Sequence, residues 1–157
     1  MAIDATSRIR AESFTSNQGV KTEPTSDEGG GNNIGWIANG DWVGYNNIDF
    51  HDGMKQFTAR VASGAPDGVS GQVQVVLDNP TAMPVGSFTL SNTGGWQSWR
   101  TVTIDISMVT GIHTLYLTFA SGRPEEFGNI NWFTFSPSSN GGPGIYKTVL
   151  YYTNFVR

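Results

Sequence analysis

Residues 71–78, GQVQVVLD, alternate polar and apolar side chains with the period of an extended strand. Because successive side chains of a strand point to opposite faces, Val73, Val75 and Leu77 share one face and the glutamines between them share the other. This alternation is typical of an antiparallel sheet that has one face in the core and one in water. The stretch therefore favours a β-rich fold.

The same alternation recurs at residues 100–107 (RTVTIDIS) and 113–120 (HTLYLTFA). No long window carries apolar residues at the helical spacing of i, i+3, i+4 and i+7. Further strand candidates lie at residues 7–14, 41–50, 56–62, 87–90 and 129–135. About eight short strands, separated by turn residues, predict an all-β fold, namely a two-sheet β-sandwich of jelly-roll topology. A closed barrel is the alternative.

The composition limits the classes of partner. Of the 157 residues, 14% are charged, and the net charge is −4. Nucleic-acid binding relies on a basic surface, and anionic membranes also attract basic segments, so neither partner is expected. No window approaches the roughly 20 apolar residues of a transmembrane helix. The chain is long enough for one domain with a core of its own.

The absence of cysteine excludes disulfides, thiolate zinc sites and a cysteine nucleophile. An exported domain without disulfides needs another cross-link, and a bound cation is a candidate. Residues 1–136 carry the strand pattern and are predicted to form the domain. Residues 137–157 begin with the linker-like PSSNGGPG and end in an apolar, strand-like tail. This segment fits an extra strand, the start of another domain or added sequence.

Signatures of catalysis are weak in this sequence. Glu125 and Glu126 are adjacent carboxylates on a loop, where a solvated turn is a simpler interpretation than the acid/base pair of a glycosidase. Neither histidine stands near a serine with nucleophile-elbow spacing, and no phosphate-binding loop or dinucleotide fingerprint occurs. The sequence therefore predicts a domain without catalytic activity.

The five tryptophans fall into two groups. Trp99 and Trp132 lie inside strand patterns and are expected in the core. Trp36 and Trp96 each follow a glycine at the edge of a polar loop, where an exposed flat ring usually meets a flat partner. Trp42 opens a strand candidate nearby.

A sugar ring is a partner of that kind. A β-linked pyranose has a face of C–H bonds that an indole can cover, and a rim of hydroxyls. Amide side chains both donate and accept hydrogen bonds, so they can bind those hydroxyls. Loops rich in Asn and Trp and poor in charge thus favour a neutral polysaccharide over an ion.

In these features the chain resembles the family 6 carbohydrate-binding modules. The matching stretches cover most of residues 8–136 in the order of the family. They are IRAESF (9–14), GVKTEPTSDEGGGNNIGWIANGDWVGY (19–45), NTGGWQSW (92–99), GIHTLYLTF (111–119) and NINWFTF (129–135). The resemblance implies a monomeric β-jelly-roll module without catalytic activity, attached to a secreted, extracellular polysaccharide-degrading enzyme such as a glycoside hydrolase.

The resemblance also assigns a main binding site in loops at one end of the sandwich. Two aromatic rings, here Trp36 and Trp96, would clamp a sugar ring, and Asn129 at the base would bond its hydroxyls. Many relatives have tyrosine where this chain has Trp36, and the loop at residues 121–128 looks longer than usual. In a regular strand Asn129 and Asn131 would face the same side, so different roles for them require a bend.

Some relatives carry a second cleft on the concave face of a sheet. The residues that match it here are Trp42, Glu23 and Ser26. The alternative for Trp42 is a place in the core.

The family usually holds a structural calcium ion near the N-terminal strand. The resemblance implies Glu12, Asn131 and the carbonyl oxygen of Arg10 as ligands, and hard oxygen donors suit calcium. Relatives more often carry aspartate at such a position. The alternative is that Glu12 pairs with Arg8 or Arg10.

The predicted function is therefore targeting. The module would bind β-linked neutral polysaccharide and hold an attached glycoside hydrolase at its substrate. Xylan, β-1,3-glucan, agarose and cellulose-type chains are all compatible with the resemblance. The alternatives are a small jelly-roll glycoside hydrolase or lyase, and a protein-adhesion domain that uses the same aromatic rim.

Overall fold

The computed structural model describes residues 1–137, so the predicted linker and tail lie outside the described residues apart from Pro137. Strands make up most of the described chain. They are β1 Ile3–Asp4, β2 Ile9–Arg10, β3 Ser16–Gln18, β4 Lys21–Pro24, β5 Asn32–Ile37, β6 Trp42–Asp49, β7 Met54–Ser63, β8 Ser70–Leu77, β9 Gly86–Ser91, β10 Gly95–Val109, β11 Ile112–Ala120 and β12 Gly128–Ser136, with a 3₁₀ turn at Ala11–Ser13.

The strands form two separate six-stranded sheets, which confirms the predicted β-sandwich rather than a closed barrel. The first sheet has the order β1-β6-β11-β8-β9, and β3 also pairs with β6. The second has the order β10-β7-β12-β5-β4, and β2 also pairs with β12. β1 runs parallel to β6, and the other pairs are antiparallel.

The core lies between the sheets and follows the alternation seen in the sequence. Val73 and Val75 of β8 are fully buried, as are Leu115 and Leu117 of β11, while Leu77 is partly buried at the edge of the same cluster. Each fully buried side chain of this size stabilises the fold by about 1.5–3 kcal/mol relative to an exposed one.

No helix in residues 1–137 has the length and apolarity needed to cross a membrane.

β12 contains a bulge that determines where its polar side chains point. Ile130 pairs with Val61 and Trp132 with Arg60, which leaves Asn131 without a partner on β7. Ile130 and Phe133 are therefore both in the core although they stand three positions apart. The bend required for Asn129 and Asn131 to play different roles is thus present.

Two local expectations are wrong. Of the strand predicted at residues 7–14, only Ile9–Arg10 is extended, and a 3₁₀ turn follows, whose Ala11 carbonyl accepts the Tyr45 hydroxyl at 2.7 Å. Trp99 and Trp132 are partly exposed rather than buried. Trp132 lies under the Arg8 guanidinium, 4.2 Å from its ring centroid, so a cation covers the ring in place of the opposite sheet.

Candidate functional site

A cavity of about 170 Å³ opens at one end of the second sheet. Its lining residues come from β4, β5, β10, the loop before β12 and β12 itself. They are Glu23, Trp36, Trp96, Glu126 and Asn129. Trp36 is 38% exposed and Trp96 is 39% exposed, while Asn129 is almost fully buried. The structure therefore brings together the three residues predicted for the main site.

Trp36 reaches the cavity because β5 is irregular. Ile34 pairs with Ile130 and Ile37 with Gly128, so β5 has one more residue than β12 over this interval. Trp36 adopts a left-handed backbone with φ 55°, which turns its ring outward between two buried isoleucines. This conformation costs a residue with a side chain about 1–2 kcal/mol. Such strain persists where the surrounding structure imposes it, and it is frequent at functional sites.

Trp96 is presented by a second irregularity. β10 pairs with β7 at Gly95 and again at Arg100, and the segment between them bulges away from the partner strand. The Trp96 ring lies against the backbone of Gly64, where a β-carbon would stand 2.7 Å from Trp96 Cδ1. Glycine at position 64 therefore provides the surface on which the indole rests.

Replacing Gly64 with alanine is expected to displace the Trp96 ring, because no real β-carbon tolerates a 2.7 Å contact. The ring is partly exposed and can swing away, so thermal stability should change little. Affinity for a ligand of the cavity should fall by roughly tenfold, the size of one moderate hot-spot change. Isothermal titration beside thermal denaturation checks both expectations. Unchanged affinity would show that the ring position does not matter to binding.

Below the rings, one carboxylate oxygen collects three amide donors. Glu23 Oε2 accepts from Asn33 Nδ2 at 3.2 Å and from Gln97 Nε2 at 3.0 Å. It also accepts from Asn129 Nδ2 at 3.2 Å. Asn129 Nδ2 donates in addition to the Trp96 carbonyl at 2.7 Å, which ties the base of the cavity to its wall. Hydrogen bonds to a charged acceptor are stronger than neutral ones, so this network fixes the amides in place.

The network leaves acceptors, not donors, free to meet a ligand. Among residues 1–137, no protein donor is bonded to Asn129 Oδ1 or Glu23 Oε1. The exposed Glu126 adds a further carboxylate to the lining, which contains no cation. Lys21 Nζ lies 5.9 Å from the centroid of the Trp36 ring, on the rim. The cavity is therefore suited to hydroxyl donors and disfavours anions.

The residues predicted for a second cleft do not come together. Trp42 is in β6 of the first sheet, partly buried, with its ring edge-on to Tyr116 at 5.6 Å. Glu23 is in β4 of the second sheet and lines the cavity of Trp36. The Ser26 amide donates to Gln97 Oε1 at 2.8 Å. The predicted grouping fails because β4 pairs with β5 and β6 pairs in the other sheet.

Sequence reasoning missed three residues of the site. Gln97 stands next to Trp96, and Asn33 stands close to Trp36. Both lie in the stretches that resemble the family, and that position is the signal that could have identified them. Glu126 belongs to none of the matching stretches and is only a weak catalytic candidate in the sequence. Its place in the lining depends on Phe127, which is fully buried and donates its backbone N–H to the Ile37 carbonyl at 2.9 Å.

Two of the predicted calcium ligands, Glu12 and Asn131, lie close together, but the Arg10 side chain lies between them. Arg10 Nη2 contacts Glu12 Oε1 at 3.4 Å and Asn131 Oδ1 at 3.4 Å. The Arg10 carbonyl accepts the Ser13 hydroxyl at 2.7 Å. As folded, these residues do not fit a calcium ion, and the alternative of a Glu12–Arg10 pair is the observed arrangement. Metal titration decides between this arrangement and the calcium ion that the sequence predicts.

The chain is similar to known proteins over most of its length. The family model described as "Carbohydrate binding module (family 6)" matches residues 10–137. An arabinoxylan arabinofuranohydrolase of Paenibacillus polymyxa is 38% identical over 138 residues, which are 85% of this chain and 21% of that protein. Endo-1,4-β-xylanase A of Thermoclostridium stercorarium is 36% identical over 141 residues, 89% of this chain and 20% of that protein. The chain thus spans about a fifth of these relatives' length.

Solved structures show the same fold. A family 6 module from Clostridium cellulolyticum, in complex with xylose, is 40% identical with a TM-score of 0.77, over 85% of this chain and 98% of that one. A β-1,3-glucan-binding module from Bacillus halodurans is 40% identical with a TM-score of 0.80, over 86% of this chain and 98% of that one.

Proposed function

Because this chain belongs to family 6 of the carbohydrate-binding modules, we propose that it holds a sugar ring or chain end of a β-linked neutral polysaccharide between Trp36 and Trp96, over Asn129. The observation that carries the proposal is that two exposed indoles line one cavity whose base is a buried amide. The indoles would cover the C–H faces of the ring, while the free acceptors at the base would take its hydroxyl protons.

The expected affinity is modest. One sugar ring makes few contacts, and association must first offset the loss of translational and rotational freedom. A binding free energy on the order of −5 to −8 kcal/mol, around the micromolar range, is therefore expected.

Xylan is the first candidate ligand. Two relatives are named for arabinoxylan and xylan hydrolysis, and one similar module was solved with xylose. β-1,3-Glucan is the second candidate, since an equally similar module is described as binding it. Agarose and cellulose-type chains are the remaining candidate ligands.

The charges of the cavity refine the substrate class. Glu23 and Glu126 line it without a cation among the lining residues, so a uronate in the clamp would meet two like charges. Neutral rings should bind better than glucuronate or galacturonate rings.

The role proposed for the whole protein is targeting. The family consists of binding modules without catalytic activity, and the chain covers only about a fifth of the hydrolases it resembles. A secreted glycoside hydrolase carrying this monomeric module would work at a raised local concentration of its substrate. A second cleft at Trp42 stays a prediction, now without Glu23 and Ser26.

Titration calorimetry tests the proposal. The ligands are neutral oligosaccharides of each candidate class, and an aldouronic acid is compared with the unsubstituted xylo-oligosaccharide. Binding to at least one neutral class, weaker for the uronate, is the expected result. Glu126→Gln should narrow that difference, with a smaller change in the affinity for the neutral ligand because the amide keeps an oxygen acceptor at this position. Absence of binding across the panel, with capture of a protein partner instead, would favour the adhesion alternative. Release of reducing sugar would favour the hydrolase.

A further inference from the structure

The Arg10 guanidinium lies in a cluster of oxygen atoms drawn from three segments of the chain. Nη2 contacts Glu12 Oε1 of the 3₁₀ turn at 3.4 Å and Asn131 Oδ1 of β12 at 3.4 Å. It also contacts the Gly30 carbonyl and, at 3.5 Å, the Asn32 carbonyl, both at the end of the loop that joins β4 to β5. One nitrogen thus lies within reach of a carboxylate, an amide and two carbonyl oxygens.

This donor set is of the type that hard cations use. Carboxylate, amide and carbonyl oxygens are the protein ligands of calcium. A guanidinium carries a fixed positive charge and only donors, so it can satisfy the same oxygens without a metal. In the part of the chain that the structure describes, no group of three or more His, Cys, Asp or Glu side chains could hold a metal ion.

The glycine-rich loop is shaped around this guanidinium. Gly31 has φ 79°, a conformation that side chains rarely adopt, and a β-carbon there would collide with Arg10 Nη2. Glu12 Oε1 accepts the Asn32 backbone N–H at 2.6 Å, which fixes the end of the loop. Gly31 therefore allows the backbone to approach the side chain of Arg10 directly.

A second ion pair holds the other side of the loop. Asp27 accepts Arg60 Nε at 2.9 Å and Nη2 at 3.0 Å, and it also accepts Asn131 Nδ2 at 3.0 Å. Burial alone would raise the pKa of Asp27, but these hydrogen bonds outweigh it and hold the pKa below its ordinary value. The fully buried Asn131 therefore connects the Arg10 contacts to the Arg60 pair.

We propose that the Arg10 guanidinium is the internal cation of this module. It takes the structural role that the family resemblance assigns to calcium, and it joins the N-terminal turn, the β4–β5 loop and β12 without a metal. The inference does not depend on which ligand the cavity binds.

The first test uses the unaltered protein and needs no variant. Its Tm should be the same, within about 1 °C, in EDTA and in millimolar calcium, because the oxygens are already bound by Arg10. Titration calorimetry with calcium alone should show no binding. A Tm that falls by about 5 °C or more in EDTA and is restored by calcium would overturn the inference, since a metal would then hold the loop.

The second test turns the internal cation into a metal site. Arg10→Glu removes the guanidinium and places a second carboxylate beside Glu12, so the oxygen cluster gains a ligand and loses its charge balance. The Tm in EDTA should fall by about 5 °C or more, and calcium should restore much of it. Magnesium should restore less, because it demands a stricter octahedral geometry. A Tm equal to that of the unaltered protein in EDTA would overturn the proposed role.

Two further variants control this result. Arg8→Met removes one positive charge from the neighbouring segment, where the guanidinium stacks on Trp132 outside the oxygen cluster, so its Tm should not respond to calcium. Arg10→Met removes the cation and adds no carboxylate, so it should lower the Tm and show a weaker calcium response than Arg10→Glu. If Arg10→Glu does not fold in either buffer, a Tm of Arg10→Met that equals the unaltered value would overturn the inference, and a lowered one would support it.

Discussion

Replacing Trp96 with alanine is expected to weaken oligosaccharide binding by about 30-fold or more, which corresponds to about 2 kcal/mol. The indole forms one wall of the cavity, and its removal leaves Trp36 to cover only one face of a ring. Stability should fall by less than for a tryptophan of the core, because the ring is 39% exposed. Titration calorimetry with the best neutral ligand measures the loss, and thermal denaturation verifies the fold.

Trp132→Ala is the matched control for this experiment. Trp132 is also a partly exposed tryptophan of the second sheet, but it lies under Arg8 and does not line the cavity. Its removal should leave affinity within about twofold, well below the hot-spot range. Comparable losses in both variants would mean that the sugar is not held in the cavity that Trp36 and Trp96 line.

Replacing Glu23 with alanine is expected to have the second-largest effect, on stability and on binding together. Glu23 Oε2 is the common acceptor of Asn33, Gln97 and Asn129, so its loss leaves several amide donors at the base without their partner. Each buried donor left unsatisfied costs about 1–3 kcal/mol, and water entering the cavity offsets part of this. The Tm should fall by several degrees, and affinity should fall because Asn129 is no longer held.

Glu23→Gln keeps an oxygen acceptor of similar shape and removes the charge, so it distinguishes loss of the hydrogen-bond acceptor from loss of the charge. This variant should retain most of the Tm of the unaltered protein. Glu126→Ala serves as the control for position, since Glu126 lines the same cavity, is exposed and makes no hydrogen bond among residues 1–137. Its Tm should be unchanged. If Glu23→Ala also keeps the Tm of the unaltered protein, the amide network does not stabilise the site.

The fold was predictable because burial has a strict period in a strand. In β8 and β11 the apolar residues lie at every second position, and the two sheets bury those faces. The positions that create the cavity break this period. Bulges in β5, β10 and β12 depend on the partner strand and on residues distant in the sequence, so alternation alone cannot locate them.

The site was predictable only in part, for the same reason. Motif resemblance identified Trp36, Trp96 and Asn129, and the structure places them around one cavity. It assigned Glu23 to a different cleft, because residue order does not show that β4 and β6 belong to different sheets. It also identified Arg10 by its carbonyl, whereas the side chain is the part that reaches the oxygen cluster.

The left-handed backbone of Trp36 makes this position a compromise for protein engineering. Glycine would adopt the same φ of 55° without this steric penalty, but it would lose the contacts of the partly buried indole. A thermostabilisation protocol that ranks residues by backbone geometry alone would therefore select position 36 early, and its product would carry a single indole in the cavity. Optimisation of this domain needs residue 36 held fixed from the outset, with heat resistance sought on the opposite sheet.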